Sequence, residues 1–224
     1  VTSQEAYVSF LNLANKLNSN DDVNIDIGRF VLLYNKHAKV WLEQKVRHTR
    51  STQKIDEIQQ LIKEDVQLTP INTTTDHVDF QLPGDWFEHI SGYALCTRDT
   101  CKGKVINADQ AKNEEKRLIL FDENWRPDFD FEWLPITVGE DKVQVYFKDF
   151  TVDSFKVDYF RYPKDIDIQG YIKSDNVTPS VNINPDIDDI YVNEIIDLAV
   201  ADVSRIYQNN DKMQLDLNRI QQEQ

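Results

Sequence analysis

The hydrophobic period of this chain changes from 3.6 residues to two at Leu68-Thr69-Pro70. A single repeating architecture cannot satisfy both periods, so helices must precede strands within one chain. The proline enforces the change, because the residue before it is pushed out of the α region.

Upstream, Thr2 and Glu5 spell a capping box, and Ala6, Phe10, Leu13, Ala14 and Leu17 follow at helical spacing. Asn18 to Asp22 reads as a polar breaker. A long second helix is expected from Asp26, with Ile27, Phe30, Val31, Tyr34, Ala38, Trp41 and Leu42 on one apolar stripe. Ser51-Thr52 interrupts it, and Ile55, Ile58, Leu61 and Ile62 continue the helical period, as one bent helix or as an αα-hairpin.

Downstream, residues 77–82 alternate as a strand. Tyr93 to Thr97 and Lys104 to Ile106 flank a turn and predict a hairpin, followed by a short exposed helix over 108–118. Phe129, Phe131 and Trp133 alternate with acids and predict a strand with a packed aromatic face. Val143, Val145 and Phe147, then Phe155, Val157 and Tyr159, predict two more, the last ending at Pro163. Residues 179–185 read as extended. A helix headed by Asp186, Asp188 and Asp189 carries Ile190, Ile195, Ile196, Ala199, Val203 and Ile206, and Asn209-Asn210-Asp211 is expected to separate it from a final short helix.

The expected fold class is therefore α+β, with N-terminal helices, a central antiparallel β-sheet region and a C-terminal helix packed against them. Residues 1–68 form the helical N-terminal region, 69–185 the mainly antiparallel β region with a short helix, and 186–224 a C-terminal helical region that makes one compact unit with 1–68.

Charge narrows the function. The chain has 224 residues, with 25 Lys and Arg against 39 Asp and Glu, a formal charge of -14. Nucleic-acid binders and peripheral membrane proteins need basic footprints, so neither class fits. Val1 to Phe10 lacks the basic-then-apolar pattern of a secretory leader, which predicts synthesis in a cytosol-like compartment. The acidity is uneven: residues 1–68 are neutral, 69–127 carry -3 and 128–224 carry -11.

Four constellations could carry chemistry. Asp128, Asp130 and Glu132 superficially resemble the D-x-D-x-E signature of chitinase-like glycosidases, since alternate residues of a strand project to one side. A solvated acidic face writes the same string. Cys96 and Cys101 with His77 and His89 could form a zinc set, although the wide histidine spacing favours ordinary thiols. A cross-strand disulfide is geometrically open but disfavoured in a reducing compartment. Asp22 to Asp26 imitates a calcium loop, but that loop needs glycine and glutamate where Ile27 and Leu33 stand. His37 and His48 read as surface residues of the long helix. The fourth is a basic stripe of Lys36, Lys39, Arg47, Arg50 and Lys54, opposite the apolar stripe. It reads either as a solvated face or as a docking interface for an acidic partner, which could be another copy of the chain.

Three segments resemble a known layout when taken in order. Leu82-Pro83-Gly84-Asp85-Trp86-Phe87 is similar to the L-P-x-D-aromatic opening of head-to-tail connector ring proteins of tailed, podovirus-like phages. Val157-Asp158-Tyr159-Phe160-Arg161-Tyr162-Pro163 resembles their strand with Y-x-R-x-P, and Pro185 to Tyr207 resembles the acid-led helix that follows. The N-terminal helices also suit adaptor and tail-tubular types, and the Asn-, Ile- and Lys-rich composition fits crAss-like phages. The resemblance implies a structural neck-ring subunit of the virion, not an enzyme, assembled in the bacterial cytoplasm. It implies a ring of about twelve copies that docks below the portal and extends the DNA exit channel. It implies no cofactor, no catalytic residue and no membrane, with DNA passing unbound. The alternatives are a carbohydrate-active hydrolase using Asp128, Asp130 and Glu132, or an acidic β-rich binding module.

Overall fold

A computed structural model describes residues 1–17, 25–52, 56–173 and 177–222. The chain folds as α+β, with helices at both ends and an eight-stranded mixed sheet between them. It divides into two compact units, one of residues 1–60 with 163–224 and one of 61–162.

The first unit is helical. Helix α1 (Ser3–Leu17) begins with the predicted box: the Glu5 amide donates to Thr2 Oγ1 and the Thr2 amide to Glu5 Oε2. Helix α2 (Ile27–Thr52) is capped by Asp26, whose carboxylate accepts the Arg29 amide at 2.9 Å. The predicted stripe from Phe30 through Leu42 is buried, and Phe30 touches the rings of Tyr7, Phe10 and Tyr34. Both helices pack on the last helix of the chain, Asp189–Gln222, through Val192, Ile195, Ile196, Ala199 and Val203. Ile190 is on its exposed side instead of in the expected stripe.

Three helical expectations change. The backbone stays helical through 209–211 and on to Gln222. Asn and Asp cost a helix interior only about 0.7 kcal/mol each, and neither glycine nor proline is there to stop it. After α2 a 3₁₀ turn (Asp56–Leu61) buries Ile58 and Leu61. Ile62 then opens a strand, so the helical character ends before residue 68. The breaker at 18–22 and the calcium-like residues 22–24 lie outside the described residues.

The second unit is the sheet, ordered β1-β8-β4-β5-β6-β7-β3-β2. Its strands are β1 (Ile62–Gln67), β2 (Thr69–Thr73), β3 (His77–Gln81), β4 (Trp86–Arg98), β5 (Cys101–Gln110), β6 (Leu134–Val138), β7 (Lys142–Tyr146) and β8 (Thr151–Arg161). All pairs are antiparallel except β5–β6. The β1-β8-β4-β5 and β6-β7-β3-β2 halves share one core, in which Phe80 meets Phe155 with ring centroids 5.4 Å apart. The close inward face is set partly by Gly92, where a Cβ would come within 3.0 Å of the Lys156 carbonyl.

The parallel β5–β6 pair needs a long crossover. Ala108 to Gln110 extend β5 instead of starting a helix, because they pair with Leu134 to Ile136. A shorter helix follows: a 3₁₀ turn at Asn113–Glu115 leading into α3 (Lys116–Phe121). The segment 128–133 is no strand. Asp128 Oδ1 accepts the amides of Asp130 and Phe131, at 2.8 and 2.9 Å, and this local bonding curls the backbone. The loop closes through reciprocal Asp128–Trp133 backbone bonds of 2.9 Å, with Glu132 at φ 57°.

Candidate functional site

The most organised cluster joins two motifs that stand far apart in sequence. Pro83 turns the chain into β4, with the Trp86 amide donating to the Pro83 carbonyl at 3.1 Å. This aims Asp85 at the end of β8. The Tyr159 hydroxyl donates to Asp85 Oδ1 at 2.8 Å, Lys63 Nζ lies 2.7 Å from Oδ2, and the Tyr162 amide donates to the Asp85 carbonyl at 2.8 Å. Trp86 stacks on Tyr159 at 4.8 Å, and Phe87 meets Tyr162 edge-on at 5.0 Å.

Burial alone would raise the Asp85 carboxyl, but Lys63 and Tyr159 outweigh it and hold it below its ordinary value. Burial and then the Asp85 charge push the Tyr159 phenol well up, so it stays a donor. The polar atoms satisfy one another, which makes the cluster a clasp. It fastens the second unit near both of its chain ends, Leu61 and Tyr162.

The predicted site residues meet different fates. Lys36 Nζ lies 2.8 Å from Asp202, Lys39 3.9 Å from Asp165, and Arg47 3.8 Å from Glu43. The Arg50 side chain and Lys54 lie outside the described residues. The three described cations of the stripe thus sit beside acids of their own unit. His37 is buried and not a surface residue: its Nε2 lies 3.1 Å from Asp202, because the last helix covers that side of α2. His48 is exposed.

Asp128, Asp130 and Glu132 do not share a strand face. Asp128 serves the turn, Asp130 pairs with Arg98, and Glu132 lies 3.1 Å from Lys104. Cys96 and Cys101 share the predicted hairpin but are free, and neither faces the other: Cys96 pairs with Lys104 and Cys101 with Arg98. His77 and His89 stand on β3 and β4. Among the described residues no group of three His, Cys, Asp or Glu is placed to hold a metal ion. Burial pushes the Cys96 thiol up to about 12, while Cys101 is exposed. A thiol-specific chromogenic reagent is therefore expected to titrate one fast cysteine in the native protein and a second only on unfolding. Cys101→Ser should abolish the fast phase, and a fast phase that survives would contradict the assignment.

Two buried carboxylate networks gave no motif in the sequence. Asp79 is 6% exposed and accepts from Lys142 Nζ and Gln144 Nε2, each at 2.8 Å. In the helical unit Asp167 is 3% exposed and binds Tyr171, Lys173 and the Val181 amide. The cavity beside it has a volume of about 560 Å³ and is walled by Leu32, Asn35, Ile166, Tyr171 and Ile172.

No protein-family model matches the chain, and no curated protein matches it significantly. Among the described residues no helix is long and apolar enough to cross a membrane.

Proposed function

We propose that the chain is a structural ring subunit of a phage neck or tail, docking below the portal and extending the DNA exit channel. One observation carries this reading: the two segments that resemble connector proteins, residues 82–87 and 157–163, build a single clasp in which Asp85, Trp86, Tyr159 and Tyr162 touch. A shared structural clasp gives a physical reason for both strings to occur in one chain.

The units regroup the charge. The helical unit has 13 Lys and Arg with 19 Asp and Glu, and the sheet unit has 12 with 20, so the net charges are -6 and -8. Both are acidic, so either can wall a channel that repels phosphate. Acids within 128–202 are expected to face the lumen. A ring whose narrowest wall is mainly Lys and Arg would sink that expectation.

The test is electron microscopy of the protein mixed with its candidate portal protein. Rings coaxial with the portal are expected, and particles that stay separate would overturn the proposal. Arg47→Glu with Arg50→Glu is expected to reduce ring yield several-fold if the α2 stripe docks a neighbour. Unchanged yield would return the stripe to an ordinary solvated face.

A further inference from the structure

His89 is a buried titratable side chain outside every network described above. It is 8% exposed, and its Nε2 has no hydrogen-bond partner among the described residues. It stands opposite Tyr159 in the β4–β8 register, and opposed residues of an antiparallel pair lie side by side on one face. Its ring lies 6.3 Å from Trp86, which stacks on Tyr159 at 4.8 Å, and Tyr159 in turn donates to Asp85. His89 is thus packed against the clasp through rings, not through hydrogen bonds.

The backbone around it is doubly bulged. The six residues Trp86 to Ser91 oppose only the four residues Asp158 to Arg161 of β8, with Phe87 and Ile90 as the extra ones. On its other side β4 enters register with β5 only from Tyr93 onward. Each bulge leaves a residue out of the ladder, so this segment is held by fewer strand-to-strand bonds than a regular one of its length. Segments of that kind open locally at a lower cost than the whole unit.

The charged groups on the strands packed here are Asp158 and Arg161 on β8, Glu88 on β4, and Lys63 on β1, which Asp85 already holds at 2.7 Å. Burial disfavours the charged imidazole and outweighs Gln110 and Asp158, which favour it, so His89 is held below its ordinary value. An imidazolium carries an N–H on both nitrogens, and the one on Nε2 would have no acceptor. Burying such a cation is costly.

We infer that His89 is an acid-sensitive latch: a proton taken up by its ring opens residues 86–91 and loosens the Asp85–Tyr159 clasp. The latch lies within one chain and needs no second copy, so it stands or falls apart from the ring reading. A histidine that is buried and neutral when closed, and ordinary when open, binds more protons when open. Closure is therefore complete above the open-form value of about 6.5 and weakens as pH falls through it. The open fraction rises by at most about tenfold per pH unit below that value, which is about thirtyfold at pH 5.

The test is hydrogen exchange of the full chain at about pH 7.5 and about pH 5, read by mass spectrometry and corrected for the intrinsic rate at each pH. Peptides covering 86–91 and 157–162 are expected to lose protection together, by about tenfold or more at the lower pH. His89→Phe keeps a ring against Trp86 without a proton site and should abolish the acid step. His77→Gln, on β3 of the same unit, should retain it. No acid step in the wild type, a step that survives in His89→Phe, or a step lost in His77→Gln overturns the inference. If His89→Phe does not fold, NMR of the wild-type histidine rings decides. The His89 ring should stay neutral in the closed form at pH values where a free histidine is protonated. A ring that takes its proton near about 6.5 while 86–91 keeps its protection overturns the latch.

Discussion

Tyr159→Ala is expected to destabilise the sheet unit by about 3–5 kcal/mol, the range for deleting a buried aromatic ring. Tyr159 is buried at the end of β8, where it supports Trp86 through a stacked contact and donates to Asp85. The ring accounts for most of the loss, and the stack adds about 0.5–1.5 kcal/mol beyond burial. Tyr159→Phe separates the terms. It keeps the ring and removes one hydrogen bond to a carboxylate, which costs about 1.5 kcal/mol at a partly solvated acceptor. For a unit of about a hundred residues these values correspond to falls in Tm of about 15 °C or more for alanine and about 6–12 °C for phenylalanine. Thermal unfolding followed by near-UV circular dichroism and tryptophan fluorescence would read both. A Phe variant as unstable as the Ala variant would refute the division, and an Ala variant with unchanged Tm would refute the clasp.

Much of this fold is legible in the sequence where one physical signal dominates. The α2 stripe from Phe30 to Leu42 repeats at helical spacing and is buried as expected. Val143 and Val145 alternate with Lys142 and Gln144, and β7 follows that pattern. The signal fails where two forces compete. At Asp128 the side chain bonds the amides of Asp130 and Phe131, so an alternating string becomes a turn and sends Phe129 and Phe131 to opposite environments. The signature of that outcome is an aspartate just after Pro127, a turn-former that the alternation of aromatics masks. Ile62 has helical spacing from Ile58 but leaves the helix because it pairs with Phe160, a partner about a hundred residues away. No local pattern contains that information. The clasp is half legible: both motifs stand out as strings, but only the register of β4 on β8 brings Trp86 opposite Arg161 and Asp85 onto Tyr159.

The buried carboxylate of Asp167 has no such string, and it carries the second large effect. Its two oxygens gather Tyr171 Oη at 2.8 Å, Lys173 Nζ at 2.9 Å, its own neighbour's amide at Ile168 and the Val181 amide at 3.2 Å. Backbone bonds between Asp167 and Ile183 close the same segment, and Asn35 ties Ile166 to α2 through both its amide atoms. Asp167→Ala removes the acceptor and takes that partner from the half-buried Tyr171 hydroxyl, the buried Ile168 amide and the Val181 amide. The expected cost to the helical unit is about 3–5 kcal/mol, as for breaking a buried charged network. Asp167→Asn keeps the shape but loses the charge facing Lys173, and about half that cost is expected because Lys173 is partly solvated. The acid dependence follows from the same geometry. Burial alone would raise the carboxyl, but Lys173, Tyr171 and the two amides outweigh it and hold it below its ordinary value. A carboxyl lowered in the folded state gives stability that is fully present above the unfolded value of about 3.9 and is lost as pH falls below it through the folded value. Urea unfolding of the wild type should therefore weaken below about pH 4 more steeply than that of Asp167→Asn. Parallel pH profiles for the two proteins would show that the charge is not what holds this segment.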